Sequence, residues 1–302
     1  MRKMTAAAVA AVIALAASAV AAAGAEDLKE SLAPKLQRII EFQAEVGSLH
    51  PVLQKLHPVA VVDGDRFLIF DLDESKTGYR FLKEAPVPMP MPQGVRAAFP
   101  LEALDNRSAC VVSPEVFDSV RGYVTIFHEF VHCRQWETVE PVLKERLSIY
   151  RRAVEAGDYM WELNYPFPYQ NAEFAEDYPA ALDRMDRGDG PEALRIRARL
   201  RDLLGPENYE YLCWQEWKEG FARYLENAIL RHLNMEENHG GLALPLTRVA
   251  FYEGGSRFIS FLEGRENGLT LNLETLFERI ADPSGGPAEN SNRPPGPSPA
   301  AH

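Results

Sequence analysis

Two histidines stand four residues apart in GYVTIFHEFVHCRQW, Gly122 to Trp136, and Glu129 follows the first of them. On a helix, positions i and i+4 share a face one turn apart, so His128 and His132 can direct imidazole nitrogens at one ion. Glu129 lies about 100° around the axis from His128. From there its carboxylate can reach a water on that ion without itself becoming a ligand. The competing reading is an ordinary structural helix whose histidines are satisfied by hydrogen bonds. A catalytic zinc takes three protein ligands and leaves one position open. No third histidine follows at short spacing, because the next one after His132 is His232. The chain does supply WQEWKEGFARYLENAIL, Trp214 to Leu230, a helical stretch that carries several acids.

The elements that must position these residues can be read around them. A polar, weakly periodic helix is expected over residues 27–48, then two β-rich runs flank Asp63-Gly64-Asp65 in PVAVVDGDRFLIFDLDE, a hairpin signal. EAPVPMPMPQG packs four prolines into a short span and reads as an extended surface loop. VRAAF and ACVVS read as short strands before the motif helix. From Glu137 to Leu230 the signals are almost wholly helical, broken at NYPFPYQN and RGDGP. The order of strands first and helices after implies an α+β fold. One domain over 26–282 is the simplest division, since no linker-like stretch separates the two parts. The Pro/Gly/Ser-rich stretch over 283–302 is expected to be a disordered tail.

At 302 residues and 46% hydrophobic, the chain can bury a sizeable core. Residues 1–25 combine a positive end, Arg2 and Lys3, with an alanine-rich apolar run and a small-residue site at Ala23-Gly24-Ala25. That is the pattern of a cleaved signal peptide, which predicts an exported protein, periplasmic or secreted, with no membrane span after cleavage. The formal charge is -12, and loss of Arg2 and Lys3 takes it to -14. An acidic surface of that kind argues against nucleic acid and anionic membranes as partners. Cys110, Cys133 and Cys213 are too few for a disulfide scaffold but allow one bridge.

The segment EWKEGFARYLE resembles the glutamate-bearing helix of the gluzincin metallopeptidases, in which the third ligand precedes Gly-apolar-Ala-x-Tyr. The resemblance implies that Glu219 is that ligand, with Glu216, one turn earlier, as the competitor. The small Gly220 and Ala222 are expected to let this helix approach the motif helix closely. Glu226 returns to the face of Glu219 and is a candidate acceptor for a ligand histidine N–H. FYEGGSRFISFLEG, Phe251 to Gly264, resembles the Tyr-x-x-Gly-x-x-Phe segment of the same families, which implies that Tyr252 faces the cleft as a donor to the oxyanion. His232 and His239 are alternative donors, and a plain core aromatic is the competing reading of Tyr252.

The resemblance further implies a zincin-like fold in which an edge strand before the motif helix pairs with substrate, a role that falls to SACVVS, Ser108 to Ser113. A Cys133–Cys213 disulfide is one expectation, because the shared ion would bring their two helices together; buried free thiols are the other. No Gly-x-Met-Glu-Asn segment is present, so aminopeptidase action has no support. The activity implied is an exported zinc-dependent metallopeptidase acting on peptides or proteins, with His128, His132 and Glu219 on Zn2+ and Glu129 as base. The alternative is a catalytically silent zinc-binding or regulatory module. Substrate, oligomeric state and the choice between internal and terminal cleavage stay open.

Overall fold

The computed structural model describes residues 28–283. The signal peptide read over 1–25, and all but the first residue of the tail read over 283–302, lie outside the described residues. The chain opens with helix α1, 28–46. Leu32, Leu36, Ile39, Phe42 and Val46 recur every three or four positions and are buried, which gives a mostly polar helix one apolar stripe.

Five strands follow: β1 Val59–Asp63, β2 Arg66–Leu72, β3 Tyr79–Pro86, β4 Arg96–Leu101 and β5 Arg107–Val112. β1 and β2 form the expected hairpin, with Asp63 opposite Arg66. Its two-residue turn puts Gly64 at φ 63°, where a residue without Cβ is unstrained. The strand order is β3-β2-β1-β5-β4, with β5 parallel to β1 and the other pairs antiparallel. Strand alternation sends Val59, Val61, Leu68, Phe70, Cys110 and Val112 into the main core. Ala60, Phe67, Ile69, Ala109 and Val111 enter a smaller cluster on the other face.

Two findings differ from the reading of the sequence. The strand before the motif helix is not an edge strand: β5 pairs with β1 on one side and β4 on the other. Residues from Ser108 to Val112 are buried without a break, the pattern of a strand covered on both faces. The edge beyond it is β4. The other edge, β3, has no counterpart in that reading, because most of its residues are exposed and Lys83, Glu84 and Pro86 blunt it.

The motif helix α2, Val120–Thr138, is capped by Ser119, whose Oγ accepts from Gly122 N at 3.1 Å. A Cβ at Gly122 would sit 1.6 Å from the Val116 carbonyl oxygen, so this first turn needs glycine. Then come α3 Glu140–Arg146, α4 Ser148–Glu155, α5 Trp161–Asn164, α6 Ala172–Asp186 and α7 Gly190–Gln215, which kinks at Gly205 before Pro206. A π turn, Glu216–Gly220, joins α7 to α8, Phe221–His232. Helices α9, Ala250–Arg265, and α10, Leu273–Ala281, complete an α+β architecture in which one buried cluster runs from α1 and the sheet to α10. Among the described residues no helix is long and apolar enough to cross a membrane.

The expected Cys133–Cys213 bridge is absent: Cys110, Cys133 and Cys213 are all free and buried. The two sulfurs face different neighbours. Cys133 lies beside Ser108 of β5, whereas the Cys213 thiol lies 3.8 Å from the Ile280 carbonyl on α10.

Candidate metal centre

Helix α2 buries both histidines and Glu129 on the side that meets α8 and the π turn. His132 Nε2 lies 3.2 Å and His128 Nε2 3.8 Å from Glu219 Oε2. One ligand atom from each of the three lies within 4.8 Å of the others, a group that could hold a metal ion. The other nitrogen of each ring is already committed. His128 Nδ1 is 2.9 Å from Glu226 Oε2, and His132 Nδ1 is 2.9 Å from Gln135 Oε1. Gln135 donates in turn from Nε2 to the carbonyls of Trp217 (3.2 Å) and Lys218 (3.3 Å), so its oxygen must face the histidine. Acceptors at both Nδ1 atoms keep an N–H on that side of each ring, so the two Nε2 atoms, which converge with Glu219, are the positions that an ion would take. The donor set therefore fits a divalent metal, with outer partners that fix ring orientation and tautomer.

The π turn separates the two competing acids. Its wider winding spreads residues three apart further around the axis than an α turn would. Glu216 faces Arg197 (Nη2 to Oε2, 2.5 Å) and the Tyr178 hydroxyl (2.9 Å), so it is occupied away from the histidines. Glu219 faces them. Gly220 does not ease approach to α2, contrary to the reading of the sequence. Its Cβ would meet Gly255 Cα at 2.5 Å, and one at Gly255 would meet the Glu216 carbonyl oxygen at 2.5 Å. The close approach is to α9, and it presses the ligand turn against the helix that carries Tyr252.

Electrostatics follow the geometry. Burial opposes charge on His128, but the hydrogen bonds it donates to Glu219 and Glu226 outweigh it and lift its pKa to about 10 in the metal-free chain. Burial also opposes charge on Glu219, which His132, His128 and Arg248 nevertheless hold well below the usual carboxylate range. Glu226, similarly opposed by burial and favoured by His128 and Arg223, falls to about 2. Glu129 behaves differently: burial raises it, and the two histidines offset this only in part. Among the described residues no group donates a hydrogen bond to its carboxylate.

Tyr252 stacks on His128, with ring centroids 6.1 Å apart and planes 13° apart. Burial, then the charge of Glu219, push its phenol up. The alternative donors are not gathered here. His232 is exposed at the end of α8, and His239 pairs with buried Glu253 at 3.2 Å beside a separate cavity of about 650 Å³.

Two members of the cluster escape the reading of the sequence. Gln135 stands one turn after His132, a spacing that could have suggested it. Arg248, whose Nη1 donates to Glu219 Oε1 (3.0 Å) and Gln215 Oε1 (3.2 Å), lies in a loop and carries no periodic signal. No protein-family model matches the chain, and no curated protein or solved structure does either.

Proposed function

We propose that the protein is a zinc-dependent metallopeptidase of the gluzincin type, with a zincin-like fold and with His128, His132 and Glu219 as the ligands. The observation that carries this reading is the joint commitment of both Nδ1 atoms, which leaves the two Nε2 atoms, converging with one buried carboxylate, as the ring positions open to an ion, while Glu129 lies beside them without a donor. Two imidazoles and a carboxylate suit zinc, and a bound zinc ion supplies Lewis acidity that polarises a carbonyl and makes water acidic near neutral pH.

The chain's own groups do the rest. Glu129 takes a proton from the attacking water, the water oxygen bonds to the carbonyl carbon, and the same proton passes to the leaving amine as the C–N bond breaks. Tyr252, stacked on His128, donates a hydrogen bond to the oxyanion. Glu226 and Gln135 hold the imidazoles in orientation. The leader read over 1–25 supports action outside the cytoplasm.

The test is Glu129→Gln, which keeps shape and removes the base. Zinc content should stay near one per chain, while cleavage of a broad peptide library falls by about 10²- to 10⁴-fold. A wild-type chain that holds zinc and cleaves nothing would favour a silent binding module. Equal cleavage by the variant would overturn the proposed mechanism.

A further inference from the structure

Arg248 uses only Nη1 in its bonds to Glu219 and Gln215. Among the described residues no hydrogen bond engages its Nε or Nη2, and its side chain is 28% exposed. The guanidinium is therefore held by one corner, beside the Tyr252 ring 5.4 Å away, and presents its other donors outward. Such an edge fits a carboxylate, which takes two parallel N–H donors.

A groove of about 590 Å³ adjoins it, lined mainly by Phe167, Pro168, Tyr169, Pro245 and Leu246, with Gln170 and Thr247 as its polar members. Thr247 precedes Arg248 in the chain, and Tyr169 lies within electrostatic reach of the guanidinium. Phe167 and Tyr169 also pack on Phe251, next to Tyr252, at 5.1 and 5.7 Å between ring centroids. A donor edge and an apolar groove thus sit together beside the candidate metal centre.

We propose that this pair of features binds the C-terminal residue of a peptide: Arg248 takes the terminal carboxylate, and the groove takes a large apolar side chain. An internal aspartate or glutamate offers a carboxylate too, but it has no apolar side chain left to fill the groove. A C-terminal apolar residue supplies both from one residue. The inference rests on the metallopeptidase reading and sharpens it to carboxypeptidase action. The last peptide bond breaks, water supplies OH to the carbonyl carbon and a proton to the nitrogen, and a free apolar amino acid departs.

Binding is measured apart from turnover. N-acetyl-L-phenylalanine, its amide and N-acetylglycine are titrated onto the zinc-loaded chain by calorimetry, and metal content is determined for every sample. The phenylalanine acid should bind at least about tenfold tighter than its amide and than the glycine acid. In Arg248→Gln at matched metal content, the preference for acid over amide should disappear. Acid preference that survives in Arg248→Gln, or that ignores the phenyl ring, would mean a carboxylate held by the ion alone and would overturn the proposal. Peptides with free and amidated C-termini are then digested in parallel. Internal cleavage of both alike would sink carboxypeptidase action and leave the metallopeptidase reading intact. Binding as expected with no peptide cleaved would sink the metallopeptidase reading and leave the carboxylate site standing.

Discussion

The surroundings of Glu216 and of Glu219 lie on one turn of chain, and both acids are buried, yet the two regions differ in kind. Around Glu216 the carboxylate is closed on both sides by Arg197 and Tyr178, and neither charged side chain is more than 3% exposed, though Arg197 Nε is left without a partner. Around Glu219, three ligand atoms converge, an arginine is only partly used, and a neighbouring acid has no donor. A closed set of buried charges fixes packing. An open, convergent set is poised to bind.

Exchanging the burden between the two acids is the strongest test of that contrast. Glu216→Ala leaves Arg197 buried and unpaired, which should cost about 3–5 kcal/mol in urea unfolding, while folded chains keep their metal. Glu219→Ala should weaken metal affinity by more than about 100-fold, beyond the loss typical of outer partners, as read by competition with a chelator. If the two phenotypes were exchanged, the assignment of roles would be wrong.

Gly220→Ala or Gly255→Ala should disturb both regions at once, because each added Cβ meets backbone at 2.5 Å. Overpacking of this kind costs about 1–3 kcal/mol or more, and metal affinity should fall with stability as the π turn shifts. Loss of stability with unchanged metal affinity would show that the turn is not what holds Glu219 in place. Glu226→Gln and Gln135→Leu should each lower metal affinity by about 10- to 100-fold while the Glu216 cluster stays intact. Affinity unchanged in both would break the argument from the committed Nδ1 atoms. Arg146→Ala removes an exposed ion pair with Glu274 and should change stability by less than about 1 kcal/mol, well short of the Glu216 variant. A comparable loss would deny that burial is what separates the two kinds of pair.

Much of this contrast lies beyond what one sequence reveals, and the reasons are physical. Periodicity exposed α1, which buries a single repeating face; α2 was legible from its His-Glu-x-x-His spacing, and the β1–β2 hairpin from its two β-rich runs around Asp63-Gly64-Asp65. It identified the histidines and Glu226 as sharing faces of known helices. Position in space was harder. β5 precedes α2 in the chain, but its place between β1 and β4 depends on pairing with a strand far upstream. β3 was hidden because an edge strand protected by charge and proline has the composition of a loop. Gly220 announced a close approach, but proximity of the two motif segments suggested α2 as the partner, whereas the structure presses it against α9. Arg248 reaches Glu219 from a loop, and no spacing rule connects the two.

The wide separation in sequence between the two histidines and Glu219 also has a thermodynamic consequence. An unfolded chain can offer the histidine pair but cannot hold the distant carboxylate beside it without paying loop-closure entropy. Metal should therefore bind the native state far better than the denatured one, and mass action then links metal activity to melting temperature. At a free metal concentration 100 times Kd the gain is about 2.7 kcal/mol. For a folded unit of this size that corresponds to a rise in Tm of roughly 5–11 °C. The melting curve of the intact chain thus becomes a gauge of site occupancy that needs no substrate.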